Sequence, residues 1–351
     1  MAKTLLNTSP GRSFRLGFIG LLDAAPLIVA HERGFFEEEG LTVTLSREVG
    51  WATIRDKVLT GELHAAHAPA PMLWAARLGL GGPAFPACTA LILNLHGNAI
   101  CLSNRLRVWG VHDAGSLRRE ALSRRGERKL VFGVVYPFSS HNVHLRAWLH
   151  AAGLVPDKDV RIAVVPPAQM LPTMAAGAID GFMAGEPWTS LAVAEAQGWC
   201  PAWSGSLFPG HVEKVLMTQE GIASTEEHLA MVRAIAAAGA WCDIPANRGE
   251  LASLLSGKDY LRLPPEILRP ALCGPFNFGQ GRIEQTPDFL IYHAGQAHVP
   301  TEARALSVQR DLAATGLIAV QQAPELPRQL FREDLHHLAL ESSMSTAKHG
   351  R

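Results

Sequence analysis

Residues 14–45 read FRLGFIGLLDAAPLIVAHERGFFEEEGLTVTL, and the order of their runs and breaks sets the fold class. Phe14 to Leu22 is short and apolar, the pattern of a buried strand. Asp23 follows at the position of a helix N-cap, ahead of Pro26 and the apolar run Leu27 to Ala30. Gly34 ends that helix, Glu37 to Glu39 form an acidic turn, and Leu41 to Leu45 alternates as a second strand.

The same alternation continues outward. Helix from Trp51 to Leu59, strand from Leu63 to Ala68 and helix from Pro71 to Leu78 come next. Strands separated by helices imply a parallel sheet covered on both faces. Ala90 to Leu95 and Ala99 to Leu102 are expected strands. Leu106 to Arg128 is basic and poorly periodic, read as a surface helix and loop. A second α/β set starts at Lys129, with strands at Leu130 to Val135, Val160 to Val165, Gly181 to Ala184 and Val215 to Thr218. Its helices are expected at His141 to Ala152, Met170 to Ala176 and Pro187 to Gly198. The remainder is helix-rich, with Ala230 to Asp243 and Arg248 to Ser256 the clearest helices. The chain is expected to cross between lobes near Ile100 and Met217. That gives one lobe from 14–100 plus 218–340 and a second from 101–217. Ligands of such sheets sit at strand carboxyl ends, here in the crevice between lobes.

The 351 residues are enough for two domains with cores of their own. Lys plus Arg and Asp plus Glu number 32 each, so nothing in the overall charge draws nucleic acid or an anionic membrane. No run of about 18 apolar residues suggests a transmembrane helix. The amino terminus has Lys3, Leu5 and Leu6 but no apolar segment of signal-peptide length, which reads as a cytoplasmic chain. The cysteines, 88, 101, 200, 242 and 273, have no CxxC spacing and suit a reducing compartment.

Enzyme signatures are missing: no GxGxxG after the first strand, no P-loop, no HExxH and no GxSxG. Gly79-Leu80-Gly81-Gly82 reads as a turn. His141 and His144 share a helix face, but no further motif supplies the ligands a metal needs. No cofactor is expected. A small anion, by contrast, needs donors on several sides and a positive charge. Trp51 opens a helix and offers an indole N–H, and Thr53 lies in that helix's first turn; the residue pattern by itself favours Trp51 as an ordinary core aromatic. His141 sits at a strand end and a helix start, where it can donate or simply cap. Lys214 can supply the charge, or pair with Glu213 in solvent. Glu186, in Gly185-Glu186-Pro187-Trp188, would repel an anion directly, and so is expected to orient Lys214 or His141, or to be a solvated carboxylate.

Eight blocks in order resemble the nitrate-binding proteins of bacterial ABC transporters and their bicarbonate- and sulfonate-binding relatives. They are RLGFIGLLDAAPLIVAHERGFFEEEGLTV, residues 51–56, LNLHGNAI at 93–100, PFSSHNVHLRAWLHAAGL, VVPPAQM, GFMAGEPW, HVEKVLM and FNFGQGR at 276–282. The resemblance implies a two-lobed, type II periplasmic-binding-protein-like fold with the ligand cleft between the lobes. It implies a nitrate site built from Trp51, Asn98, His141 and Lys214, with Asn98 where Gln is common. With no leader in view, the chain looks most like the cytoplasmic nitrate/nitrite sensors of the NasS type. Their role implies a NasT-like RNA-binding antitermination regulator as partner, held without ligand and released when nitrate or nitrite binds. Trp51 and Asn98 are then expected from one lobe, His141 and Lys214 from the other. The alternatives are a transporter's solute-binding protein, a sulfonate or bicarbonate binder, and a pyridoxal-dependent thiamine-precursor synthase of similar fold.

Overall fold

The computed structural model describes residues 13–124, 126, 128–319 and 324–346. The amino-terminal stretch read for a leader lies outside them, as do residues 125 and 127 of the basic segment.

Fourteen strands are found among the described residues: β1 (Ser13–Phe18), β2 (Thr42–Arg47), β3 (Ala65–Pro69), β4 (Ala87–Cys88), β5 (Ile92–His96), β6 (Asn98–Ser103), β7 (Val131–Val134), β8 (Arg161–Val164), β9 (Gly181–Gly185), β10 (Gly198–Trp203), β11 (Val212–Gln219), β12 (Phe276–Gly279), β13 (Arg282–Glu284) and β14 (Leu290–Ile291). The first sheet runs β14-β5-β11-β3-β1-β2, with β4 also paired to β11; the second runs β10-β6-β9-β7-β8. Each is the core of one lobe.

The expected parallel pairing holds where helices intervene: β1 with β2 and β3, and β7 with β8 and β9. It fails at the crossings, because β11 runs antiparallel to β3 and β5, and β6 antiparallel to β9 and β10. A parallel neighbour in one sheet needs a long crossover. β5 and β6 are joined by Gly97 alone, so they enter different sheets.

Gly97 is the first passage between lobes. Its φ of 94° lies in the left-handed region, and a Cβ there would run into Leu290 Cδ1. The return passes from Trp203 through the helix Ser204–Leu207 to Val212. The expected crossings at Ile100 and Met217 are therefore displaced, and the lobe assignments of Asn98 and Lys214 are exchanged: Asn98 opens a strand of the second sheet, and Lys214 lies in the first. Strand-like sequence runs through the first crossing almost without a break, so hydrophobicity alone does not mark it.

One apolar cluster extends from Leu16 and Phe18 in the first sheet to Phe182, Ala184 and Met170 in the second lobe. The lobes are thus closed on each other. A second cluster, around Ile100, Phe132, Leu145 and Leu149, packs the outer face of the second sheet. The helices Glu226–Asp243, Arg248–Leu255 and Pro265–Cys273 follow β11. No single helix among the described residues is long and apolar enough to cross a membrane. The FNFGQGR block is the β12–β13 hairpin, which grips the second lobe: Arg282 Nη1 donates to Pro201 O at 3.1 Å, and Gln280 Nε2 to Asn104 Oδ1 at 2.9 Å.

Candidate functional site

Where the two sheets meet, a polar cluster is enclosed in apolar surroundings. Its centre is Lys214, fully buried. Lys214 Nζ lies 2.7 Å from Asp23 Oδ2 and also donates to Glu213 Oε1. A buried ammonium is tolerated only with such partners. Burial lowers the Lys214 pKa, but Asp23 and Glu213 override it and hold the pKa above its usual value. Burial likewise works to raise Asp23 and Glu213; Lys214 with His67 overcomes this at Asp23, and Lys214 with His141 and His211 at Glu213, so both stay below the usual carboxylate range.

Local structure brings these groups together. Neighbouring residues of a strand point to opposite faces, yet Glu213 and Lys214 both reach the cluster. The β11–β5 register shifts between Val212 and Lys214 and again before Val215, an irregularity of the kind that re-aims a side chain. Asp23 is not the expected N-cap. β1 ends at Phe18, Leu22–Ala24 forms a 3₁₀ turn, and the helix Ala25–Glu32 starts with Pro26 in its first turn and no side-chain cap. This turn directs Asp23 inward, where its Oδ1 meets His67 Nε2 at 2.7 Å. His67 Nδ1 accepts from the Ile19 N–H at 3.4 Å, which leaves the proton on Nε2, facing Asp23.

Trp51 opens the helix Trp51–Leu59, as expected. Its ring is buried, packs 5.1 Å from the His67 ring and lies 5.5 Å from Lys214 Nζ, within cation–π range. Its Nε1 is buried with no hydrogen-bond acceptor among the described residues.

The second lobe supplies the opposite wall. His141 lies in the first turn of the helix Ser140–Ala151; the cap is Ser139, which accepts from the Asn142 N–H at 3.2 Å. His141 Nε2 donates to Asn98 Oδ1 at 3.0 Å and lies 3.5 Å from Glu213 Oε1. Asn98 Nδ2 donates to Glu213 Oε2 at 2.5 Å. Burial pushes the His141 pKa down to about 4, against the pull of Glu213, and its Nδ1 has no partner among the described residues. Gly185 pairs with Asn98 across the sheet, and a Cβ there would sit 3.2 Å from Asp23 Oδ2 and 3.4 Å from Asn98 Oδ1. The backbone needs glycine to come this close to the cluster.

The structure brings together Trp51, Asn98, His141 and Lys214, with Asp23, His67 and Glu213 added. It does not bring in the other two residues singled out in the sequence. Glu186 orients neither Lys214 nor His141: its carboxylate accepts from the Thr189 hydroxyl and, at 3.1 Å, from the Ser190 N–H, capping the helix Trp188–Ala194. Burial pushes its pKa up to about 7, opposed by Ser190. Thr53 is half-buried, and its hydroxyl makes no hydrogen bond among the described residues. With neutral imidazoles, two carboxylates against one ammonium leave the cluster one net negative charge.

Residues 7–256 match the NMT1-like family. The chain belongs to that family. Among its relatives, the nitrate import ATP-binding protein NrtC of Synechocystis is 36% identical over 308 residues, covering 86% of the chain and 46% of NrtC. The bicarbonate-binding protein CmpA of Synechococcus elongatus is 31% identical over 279 residues, covering 76% of the chain and 62% of CmpA. The chain thus spans less than half of NrtC and under two thirds of CmpA. The crystal structure of the periplasmic nitrate-binding protein NrtA from Synechocystis superposes with a TM-score of 0.89 at 27% identity, covering 95% of the chain and 89% of NrtA. The chain has the two-lobed periplasmic-binding-protein-like fold, with the cluster at the junction of its lobes.

Proposed function

We propose that this NMT1-like chain is a solute-binding protein for a small oxyanion, nitrate or nitrite, as the binding component of an ABC transporter. The observation that carries this is the donor set at the lobe junction. Lys214 and the unpartnered Trp51 Nε1 come from one lobe, and His141 from the other. Nitrate only accepts hydrogen bonds, and these groups can donate from different sides. Contacts to both lobes exist together only in the closed state, so the anion favours closure by its differential affinity. Lys214 is already satisfied by two carboxylates, so binding is an exchange in which the anion takes the place of one of them.

The relatives support this reading by what their names say they bind: nitrate for NrtA and bicarbonate for CmpA. Calorimetric titration of the purified chain with nitrate, nitrite, bicarbonate and sulfate tests it. Saturable one-to-one binding of nitrate or nitrite is expected; no heat with either would refute it.

A second reading keeps the same site and changes what reads it. In it the chain acts as the NasS-type sensors it was expected to resemble do: the open chain holds a NasT-like antitermination regulator and the closed chain releases it. By linkage, the regulator must then weaken nitrate binding by the factor with which nitrate weakens the complex. Gel filtration of the two proteins with and without nitrate separates the readings: a complex dissolved by nitrate supports the sensor, and no complex in either condition removes it.

A further inference from the structure

On the side of Glu213 away from Lys214 lies a second group of buried polar atoms. His144, one turn after His141, stacks on Phe208 at 4.1 Å between centroids and meets the His211 ring edge-on at 4.3 Å. His211 Nδ1 donates to Phe208 O at 2.9 Å, which places its proton there and leaves the Nε2 lone pair free. That lone pair faces Glu213 Oε2 at 3.4 Å. Two such groups in the interior call for a cation between them, either a proton on Nε2, which makes an imidazolium–carboxylate pair, or a metal ion in its place. His144 Nδ1 and His211 Nε2 are both buried without a hydrogen-bond partner among the described residues. One ligand atom each from His144, His211 and Glu213 lies within 4.8 Å of the others.

We propose that His144, His211 and Glu213 form a binding site for a divalent transition-metal ion, best suited to Zn²⁺. Two imidazoles and a carboxylate are a familiar Zn²⁺ ligand set that leaves one position open. Metal–ligand bonds of about 2.0–2.1 Å at tetrahedral angles set ligand atoms about 3.3 Å apart, and the His211–Glu213 separation is 3.4 Å. The Nδ1–H bond to Phe208 O is the outer contact that holds a ligating histidine in its tautomer. A small cavity of about 30 Å³ adjoins the site, lined by Ser140, His144, His211, Arg304 and Asp311 among others. The Arg304 guanidinium is taken up by the carbonyls of Gln296, Ala297 and Val299, and Asp311 stands on the same wall. The spacing of His141 and His144 does not reveal this site, because its other ligands arrive from the far side of the return crossing.

The site shares Glu213 with the anion cluster. A metal on Oε2 draws the carboxylate's charge away from Lys214 and strengthens the hold of Lys214 on an anion. This coupling rests on the anion-binding reading above; the metal site itself does not.

Purified chain freed of metal by chelation is titrated with Co²⁺, followed by its visible absorption, and with Zn²⁺ by calorimetry. One equivalent is expected, with the absorption of low-coordinate Co²⁺. His144→Ala and His211→Ala should each weaken binding at least about 100-fold. His298→Ala, in the separate stacked pair His293–His298, should leave it intact. His144→Phe preserves the stack on Phe208 and serves if the alanine variant does not fold. Titrations unchanged in the His144 and His211 variants, or lost only in His298→Ala, overturn the site. Nitrate titrations with chelator and with Zn²⁺ then test the coupling: an affinity at least about tenfold higher with Zn²⁺ supports it, and equal affinities overturn it. Absence of nitrate binding in both, with the metal titration intact, would refute the anion reading and leave the metal site standing.

Discussion

Asp23→Asn removes one charge from the cluster while leaving an acceptor of the same shape beside Lys214. Asp23 Oδ2 lies 2.7 Å from Lys214 Nζ. Acceptors on one ammonium are separated by roughly the tetrahedral angle, so an anion accepting at about 2.8 Å would stand about 4.5 Å from Oδ2. At an effective dielectric of about 20, two unit charges at that distance repel by about 3–4 kcal/mol. Part of this is lost again because the neutral amide orders the ammonium less firmly. A gain of at least about tenfold in nitrate affinity, about 1.4 kcal/mol, is therefore expected. Glu213 remains as the counter-ion of Lys214, so the fold should survive, which a thermal melt checks. Calorimetry with nitrate on both proteins gives the answer. An affinity equal to or weaker than that of the unaltered chain would mean that Asp23 holds Lys214 in place for the ligand, and the argument from competition would fail.

Lys214→Ala should weaken nitrate binding by about 1.5–3 kcal/mol, the worth of a charged hydrogen bond, read by the same calorimetry. It should also destabilise the fold by about 3–5 kcal/mol in urea denaturation, because Asp23 and Glu213 lose their shared counter-ion. Glu186→Gln tests a pH effect outside the cluster. Burial raises the folded pKa to about 7 from the usual 4.5, so the stability it carries is complete below the unfolded value and lost as pH rises through 7. The Gln variant should equal the unaltered chain near pH 4 and exceed it by up to about 3 kcal/mol above pH 7; a pH-independent difference in urea melts would contradict this. Gly97→Ala should cost about 1–2 kcal/mol for the left-handed backbone alone, with more for the approach to Leu290 Cδ1. Against Leu290→Ala as the reference, Gly97→Ala should then cost only the first part, as measured by the melting temperatures of the two single variants and the double.

Much of the α/β order was legible because strand and helix have distinct hydrophobic periods. The helix Pro71–Leu78 is found at its expected bounds, and the helix from Ser140 begins within a residue of its expected start. The sequence also pointed to Trp51, Asn98, His141 and Lys214. It did not point to Asp23, because an acid before an apolar run has the same pattern whether it caps a helix or turns inward one residue earlier. It did not point to His67, set in the small-residue strand Ala65–Pro69, although a lone polar residue in an otherwise apolar buried strand is the available signal. Glu213 was seen only as a solvent-side partner of Lys214, since strand alternation sends neighbours to opposite faces. The register shift in β11 depends on pairing with β5, which a one-dimensional pattern does not contain. The first lobe crossing was hidden for the same reason: a one-residue link that changes sheets reads like a kink in a continuous strand.

The cluster's satisfied state bears on selectivity as well as affinity. Every charge in it has a partner when the lobes are closed: Lys214 has Asp23 and Glu213, Asp23 has His67, and Glu213 has Asn98 and His141. An anion therefore contributes to closure only the difference between its contacts and the ones it replaces. A displaced carboxylate must find a new donor or remain buried and unpaired, which is costly. Bicarbonate carries an O–H that can donate to such a carboxylate, whereas nitrate carries none. Nitrate is consequently the anion more sensitive to whatever removes or neutralises a carboxylate, and Asp23→Asn should shift the preference of the site from bicarbonate toward nitrate. The discrimination arises from the acceptors that surround Lys214, although the donors are what hold the ligand.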